Sequence, residues 1–406
     1  MNKIDKTLTI LYIPILMLIV ACSKDVVVDL DIPEASLYTN LYMPQSVNGP
    51  ISRGISITDQ DYELLYSAHL GGTTAAKSDI AVDFAIAPEL VTSYNETNGT
   101  SYLIMPAGSY SVQSPSGTIP KGQQSTGALK LSVKTKGYLN PFETYLLPLR
   151  MKSEGDVKVN GAMATTYFLI TGAYAPGEVP REKVLSLGAN AGSFIIDFNG
   201  DLMYKEPTSG DLRFFKVNAT TGLFDAQGRT ISQGWNVFDK IVFFGPNRLI
   251  GRFRTGGQNI NQYVINPDGN FLGQREVGQG WGVLAEIIPF KGLLLGIGTD
   301  GSMTQYPLNI AGDFDYGNIR QIGSGWTGLK QVFQYQNSLI TIENNGDMWQ
   351  YPLSDAGLFG TRSKIGTGWD MYEKVVIAGT DLLAIDKAGD VWRYKFNPMG
   401  LWPLKK

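Results

Sequence analysis

Ile365-Gly-Thr-Gly-Trp369 and, 43 residues earlier, Ile322-Gly-Ser-Gly-Trp326 decide how this chain reads. The Gly-Trp pair recurs at Gly234-Trp235 and Gly280-Trp281, so the tryptophans are spaced by 46, 45 and 43 residues. A period in this range is that of a β-propeller blade or a similar repeat unit. After Trp369 come Glu373-Lys-Val-Val-Ile377, Leu382-Leu-Ala-Ile385 and Gly389-Asp-Val-Trp-Arg-Tyr394. After Trp326 come Lys330-Gln-Val-Phe333, Leu339-Ile-Thr-Ile342 and Gly346-Asp-Met-Trp-Gln-Tyr351. These are short runs of β-branched and aromatic residues broken by Gly, Asn and Asp, four to a unit once the Ile-Gly-x-Gly-Trp run is counted. Asn345-Gly346 and Ala388-Gly389-Asp390 are hairpin signals between the second and third strands.

A divergent unit lies upstream. Ser193-Phe-Ile-Ile-Asp-Phe198, Leu202-Met-Tyr204, Gly210-Asp-Leu-Arg-Phe-Phe215 and Gly222-Leu-Phe-Asp-Ala-Gln-Gly-Arg229 match the four strands, and Gly188-Ala-Asn-Ala-Gly192 stands where the others have Gly-Trp. A divergent first unit fits a terminal position. At the other end Gly400-Leu-Trp-Pro-Leu404 matches a fourth strand. The expectation is an all-β chain: an antiparallel β-sandwich followed by a five-bladed propeller over residues 184–406. Such a ring is a display surface without chemistry of its own, so function must be argued from sites on it.

From about residue 184 to residue 404 the repeats resemble tachylectin-type five-bladed lectins, with one glycine before the Trp where those carry two. Phe359-Gly-Thr-Arg-Ser-Lys-Ile-Gly-Thr-Gly-Trp369 resembles FG-GAP repeats. The calcium loop of many FG-GAP repeats is here cut to Ala378-Gly-Thr-Asp381, so no metal is expected. The lectin resemblance implies carbohydrate binding at several equivalent sites.

The N-terminus sets the address. Lys3 and Lys6 precede a largely apolar run over residues 8–20, as in a secretory signal rather than a membrane span. Ile19-Val-Ala-Cys22 resembles a bacterial lipobox, which implies a lipid on Cys22, the single cysteine. Residues 1–21 then read as signal peptide and 22–36 as tether. Ser23-Lys-Asp25 resembles the surface-export signal of Bacteroidetes lipoproteins, which implies an outer-membrane protein facing outward. Strand-length runs with turn signals fill residues 37–172; Leu129-Lys-Leu-Ser-Val-Lys134 alternates apolar and polar as a half-solvated strand does. Glu89-Leu-Val-Thr-Ser-Tyr-Asn95, Met105-Pro-Ala-Gly-Ser-Tyr110, Ile119-Pro-Lys-Gly122 and Tyr145-Leu-Leu-Pro-Leu149 resemble an N-terminal domain of Bacteroides surface lipoproteins. That resemblance implies a glycan-utilisation setting, with a neighbouring transporter or glycosidase as partner. Residues 173–183 carry two prolines and no hydrophobic period, and read as a linker.

Composition removes several function classes. Net charge is −3 with 17% charged residues and no basic stripe, so no nucleic-acid partner is expected. The lone His69 cannot build a zinc site of the usual kind, and no Gly-x-Ser-x-Gly elbow accompanies it. Glycosidases use two carboxylates set across a sugar bond. Asp211, Asp347 and Asp390 recur at equivalent turn positions, which points to structure and not to a catalytic pair. The chain is read as no enzyme, with no cofactor.

The candidate glycan-binding residues are Trp235, Trp281, Trp326, Trp369, Trp349, Trp392, Asp347 and Asp390. A tryptophan can stack on the C–H face of a sugar. Equally, the four Gly-Trp rings can pack between blades, with the glycine allowing close approach, and the third-strand aromatics Trp349, Trp392, Tyr351, Tyr394, Tyr306 and Tyr263 can do the same. The two function classes in view are a surface glycan-binding lipoprotein and a non-enzymatic docking module of the outer membrane.

Overall fold

The computed structural model describes residues 39–189, 195–245, 247–309 and 311–405. The residues read as signal peptide (1–21) and as tether (22–36), with the lipidation candidate Cys22, lie outside the described residues. The chain is all-β, built of many sheets.

The first part has two facing sheets. The larger runs Ile51–Ile57, Thr165–Tyr174, Thr144–Lys152, Ile80–Ile86, Ser116–Ile119, with Leu103–Ile104 paired alongside Thr144–Lys152; the smaller runs Tyr62–Tyr66, Leu129–Val133, Tyr110–Val112. Alternation explains the packing. In Ile80–Ile86 the side chains of Ile80, Val82 and Phe84 are buried while Ala81, Asp83 and Ala85 are exposed. The buried set meets Leu64, Tyr66, Leu131 and Val133 of the smaller sheet in one core. Ser132 and Leu146 are among the residues that depart from simple alternation. Ser132, read as solvent-facing, is buried and donates to Asp61 at 2.7 Å. Leu146, on the opposite face from Tyr145 and Leu147, is also buried, because helix Leu90–Asn98 covers that face with Val91. Gly99, at φ 63°, ends the helix in the left-handed conformation that glycine adopts without strain.

Five sheets follow, each built on four antiparallel strands; in the first four these strands are consecutive in the chain. The first holds Ile195–Phe198, Asp201–Lys205, Leu212–Phe215 and Arg229–Ser232. The second holds Phe238–Phe244, Arg248–Phe253, Ile260–Ile265 and Phe271–Gly278. The third holds Leu284–Phe290, Leu293–Gly298, Met303–Tyr306 and Arg320–Gly323. The fourth holds Leu329–Tyr335, Ser338–Glu343, Met348–Pro352 and Ser363–Thr367. The fifth holds Lys374–Ala378, Asp381–Ile385 and Asp390–Tyr394, and takes its fourth strand, Glu182–Ser186, from the start of the region. The first strand of each sheet touches the first strand of the next, and Ile195–Phe198 touches Lys374–Ala378, so the contacts run round a cycle.

Three strand assignments change. The stretch 222–229 is mostly loop, and the fourth strand of the first sheet is Arg229–Ser232. Residues 400–404 do not complete the fifth sheet. Trp402–Pro403 instead pairs parallel with Ser363–Thr367 on the fourth, because Glu182–Ser186 already occupies the edge beside Asp390–Tyr394. The segment read as linker, 173–183, is structured at both ends, by Thr165–Tyr174 and by Glu182–Ser186.

Candidate functional site

The Ile-Gly-x-Gly-Trp motif resolves into separate physical requirements. Its second glycine (Gly234, Gly280, Gly325, Gly368) has φ between 72° and 79°, which turns the chain into a short helical turn headed, at Trp235, Trp281 and Trp369, by the tryptophan. Its first glycine (Gly278, Gly323, Gly366) leaves room for the indole, since a Cβ there would overlap the Nε1 of Trp281, Trp326 or Trp369. The Trp235, Trp326 and Trp369 amides donate to the carbonyls of Gly210, Gly301 and Gly346 at 2.9–3.0 Å, each in a hairpin of the preceding sheet. Leu187 donates to Gly389 in the same way at 2.8 Å, so residue 187 stands in the place of the missing tryptophan.

The rings then fill the space between sheets. Trp235 packs on Tyr263 and Phe271, Trp281 on Tyr306 and Phe314, Trp326 on Tyr351 and Phe359, and Trp369 on Tyr394. Trp235, Trp281 and Trp369 are buried and Trp326 is half-buried. Of the two roles open to these rings, the geometry gives them packing. The series Phe224, Phe271, Phe314, Phe359 and Trp402 is legible in the sequence as Gly-x-aromatic at a matching period; from the sequence alone Gly222-Leu-Phe224 and Gly400-Leu-Trp402 read as fourth strands.

Asp347, Trp349, Asp390 and Trp392 fall into two matching sets on separate sheets. Asp347 holds Lys364 at 2.8 Å while Arg362 lies over the Trp349 ring at 4.1 Å. Asp390 holds Lys183 at 2.8 Å while Arg181 lies over Trp392 at 4.0 Å. The edge strand from the start of the region thus repeats Arg362-Ser-Lys364 as Arg181-Glu-Lys183. The Lys183 and Ser186 hydrogen bonds hold the Asp390 carboxyl below the usual range. These carboxylates tie strands together, and each ring presents one face to an arginine. Among the described residues no group of three or more His, Cys, Asp or Glu side chains could hold a metal.

A cavity of about 610 Å³ lies where the first strands meet. None of its lining residues was among the candidates. The strand register puts Lys240, Glu286, Gln331 and Lys374 at equivalent positions in sheets two to five. Lys240 pairs with Glu286 at 2.5 Å. Gln331 is turned into the fifth sheet, accepting from the Val375 amide at 2.8 Å and donating to the Glu373 carbonyl at 3.0 Å. Asp239, also in the wall, takes two hydrogen bonds from Arg252 at 2.9 and 2.7 Å. Burial works to raise the Asp239 pKa, and the Arg252 guanidinium overrides it and holds the group below its ordinary value. Lys374 lines the cavity with no hydrogen-bond or ion-pair partner for its ammonium among the described residues. Burial pushes its pKa down; Glu286 opposes this and Lys240 adds to it.

Val242, Ile288, Phe333 and Val376 make the apolar part of the wall. At the rim, Asn199, Lys291 and Gln336 have φ of 55°, 46° and 51°, three of the six described non-glycine residues with positive φ. Left-handed Lys and Gln are costly outside Asn and Gly, and such positions gather at ligand sites. The signal available in the sequence was the row Lys240, Glu286, Gln331, Lys374 at the same point of otherwise apolar strands.

A family model for an N-terminal domain matches residues 37–158, a stretch that ends before strand Thr165–Tyr174. No curated protein matches the chain. Among solved structures, a "putative carbohydrate binding protein" from Bacteroides ovatus is 12% identical, with 87% of this chain and 95% of that one covered and a TM-score of 0.29. A two-domain protein of unknown function from Bacteroides fragilis is 14% identical over 60% of this chain and 82% of its own, at a TM-score of 0.28. Bacteroides thetaiotamicron EndoBT-3987 with a Man5GlcNAc product is 12% identical over 40% and 39% of the two chains, at a TM-score of 0.28.

Proposed function

We propose that the five sheets are the blades of a five-bladed β-propeller, that the two sheets before them form a sandwich that carries it, and that the chain is a non-enzymatic carbohydrate-binding lipoprotein. In this reading Cys22 bears the lipid and the protein sits on the outer membrane, facing outward, beside a transporter or glycosidase that uses the captured glycan.

The observation that carries the binding reading is the cavity among the first strands. Its walls mix aliphatic surface (Val242, Ile288, Val376) with amide, carboxylate and ammonium groups (Gln334, Asp239, Lys374), the combination a saccharide with apolar ring faces and many hydroxyls requires. The burial of the Gly-Trp rings moves the expected site from several equivalent positions between blades to one at the centre. A non-catalytic role is supported by Asp239: its carboxyl is held low by Arg252, the opposite of the raised pKa that a general acid needs.

A glycan-array screen of the chain, followed by calorimetry on the hit, tests this. The expected stoichiometry is one ligand per chain, with Phe333→Ala weakening binding and Trp349→Ala leaving it unchanged. A stoichiometry above one, or loss on Trp349→Ala in folded protein, overturns the central site. A blank array with folded protein favours the second reading, a docking module, for which Val237 and Val283, 51% and 67% exposed at matching turn positions, are the observation; a pull-down from outer membranes then follows.

A further inference from the structure

The charges in the wall of the cavity do not cancel. Lys240 is paired with Glu286, Asp239 with Arg252, and Lys291 with Asp355. Lys374 is left over, and the groups that act on it are Glu286 and Lys240. Lys374 is half-buried, and a partly desolvated ammonium without a counter-charge is stabilised by an anion that comes against it. Gln331, at the equivalent position of the neighbouring sheet, shows the alternative: its side chain is turned away and satisfied by backbone. Lys374 is instead held with its ammonium unpartnered in the wall.

We infer that the cavity takes a saccharide bearing a carboxylate, a uronic acid unit, whose carboxylate sits against Lys374. This rests on the carbohydrate reading above and narrows it to acidic sugars. One surplus positive charge matches one carboxylate. A phosphate monoester, close to −2 at neutral pH, would leave one negative charge uncompensated beside the paired Lys240 and Glu286. A neutral hexose would leave Lys374 as it is. The downward pull of burial on Lys374 adds a consequence: an arriving carboxylate raises its pKa, so binding takes up protons and weakens as pH rises.

Calorimetry on the full chain with galacturonic acid, glucuronic acid, galactose, glucose and inorganic phosphate tests the assignment. The uronic acids are expected to bind roughly tenfold or more tighter than the matching neutral sugars, the scale of a charge-assisted hydrogen bond. Lys374→Met is expected to remove that difference, bringing acidic and neutral sugars to the same affinity. Equal affinity for acidic and neutral sugars overturns the inference and leaves the carbohydrate reading standing. Phosphate binding without any sugar binding, or no binding at all, overturns both. Should Lys374→Met fail to fold, acylation of wild-type lysines followed by peptide mapping decides: galacturonic acid must protect Lys374 where galactose does not, and equal labelling of Lys374 with both overturns the inference.

Discussion

Trp369 and Trp392 lie on the same sheet or its approach and do different work. Trp369 is fully buried against Tyr372, Tyr394 and its own Nε1–H bond to the Trp402 carbonyl at 3.1 Å. Its truncation to Ala should cost about 3–5 kcal/mol in chemical denaturation, as for other buried aromatics. Trp392 is half-buried, with Arg181 over one face and Asp386 accepting from its Nε1 at 2.9 Å. Its truncation should cost about 1–2 kcal/mol. Equal losses would contradict the division between packing and edge roles. Lys205 makes a pH-dependent case. It is buried, and burial pushes its pKa from 10.5 down to about 8, with Arg254 adding to the shift and Asp239 opposing it. Between pH 8 and 10.5 the unfolded chain holds a proton that the folded chain has released, so this group adds stability as pH rises and subtracts it below pH 8. The stability of Lys205→Met relative to wild type should therefore be greatest near pH 7 and shrink by pH 10.5 in denaturant titrations. A constant difference would mean that the proton stays on.

Strand Glu182–Ser186 is the element on which the ring depends, since it joins the start of the region to Asp390–Tyr394 near its end. Val184 is buried in the cluster that includes Leu383, Ile385 and Val391, so Val184→Asp places an unpaired carboxylate there. Hydrogen exchange should then rise across residues 374–394 and stay low in Phe238–Phe244 of the second sheet; uniform loss of protection would mean that the sheets open together. The same strand shows where sequence reading stopped. Gly-Trp located the units because each glycine is demanded by a particular contact, left-handed φ at one and room for an indole at the other. Where a sheet begins within the unit was not legible, because shifting the start of a repeat leaves its period unchanged. The closing strand lies some 200 residues from its partner in sequence, and its Arg-x-Lys spacing reads as ordinary surface charge until Asp390 and Trp392 are beside it. Helix Leu90–Asn98 was hidden by its Thr, Ser and Asn content, which carries little helical preference. The cavity was missed for a related reason: Lys240, Glu286 and Lys374 look like solvated side chains, and what they face is settled by how the first strands converge.

At the scale of the molecule, the two parts are joined by more than the chain between them. Trp402 packs its ring against Phe142 and Tyr174 of the first part, with centroids 5.4 and 5.3 Å away, and against Phe396 of the second at 5.2 Å. Gly177 donates to the Pro403 carbonyl at 2.8 Å, and a side chain at Gly400 would run into Phe142. Phe142 itself has φ of 68°, a conformation that bulky residues adopt only when their surroundings hold them. Here the Phe142 amide donates to Gly172 at 2.8 Å and the ring is held by Trp402. A joint with these contacts couples the two cores, so wild-type protein should melt with overlapping transitions. In Trp402→Ala the Phe142 ring keeps Tyr174 but loses its partner from the second part, and the fourth sheet loses part of its added strand. Calorimetry should then resolve two transitions, with the one assigned to residues 39–174 moving less than the other, because that core is completed by its own two sheets. On the carbohydrate reading proposed above, sugar affinity should survive in this variant, since the cavity wall draws nothing from residue 402. A single transition that simply moves to lower temperature would show instead that the core of residues 39–174 has no independent stability, and that the contact at Trp402 is part of one folding unit.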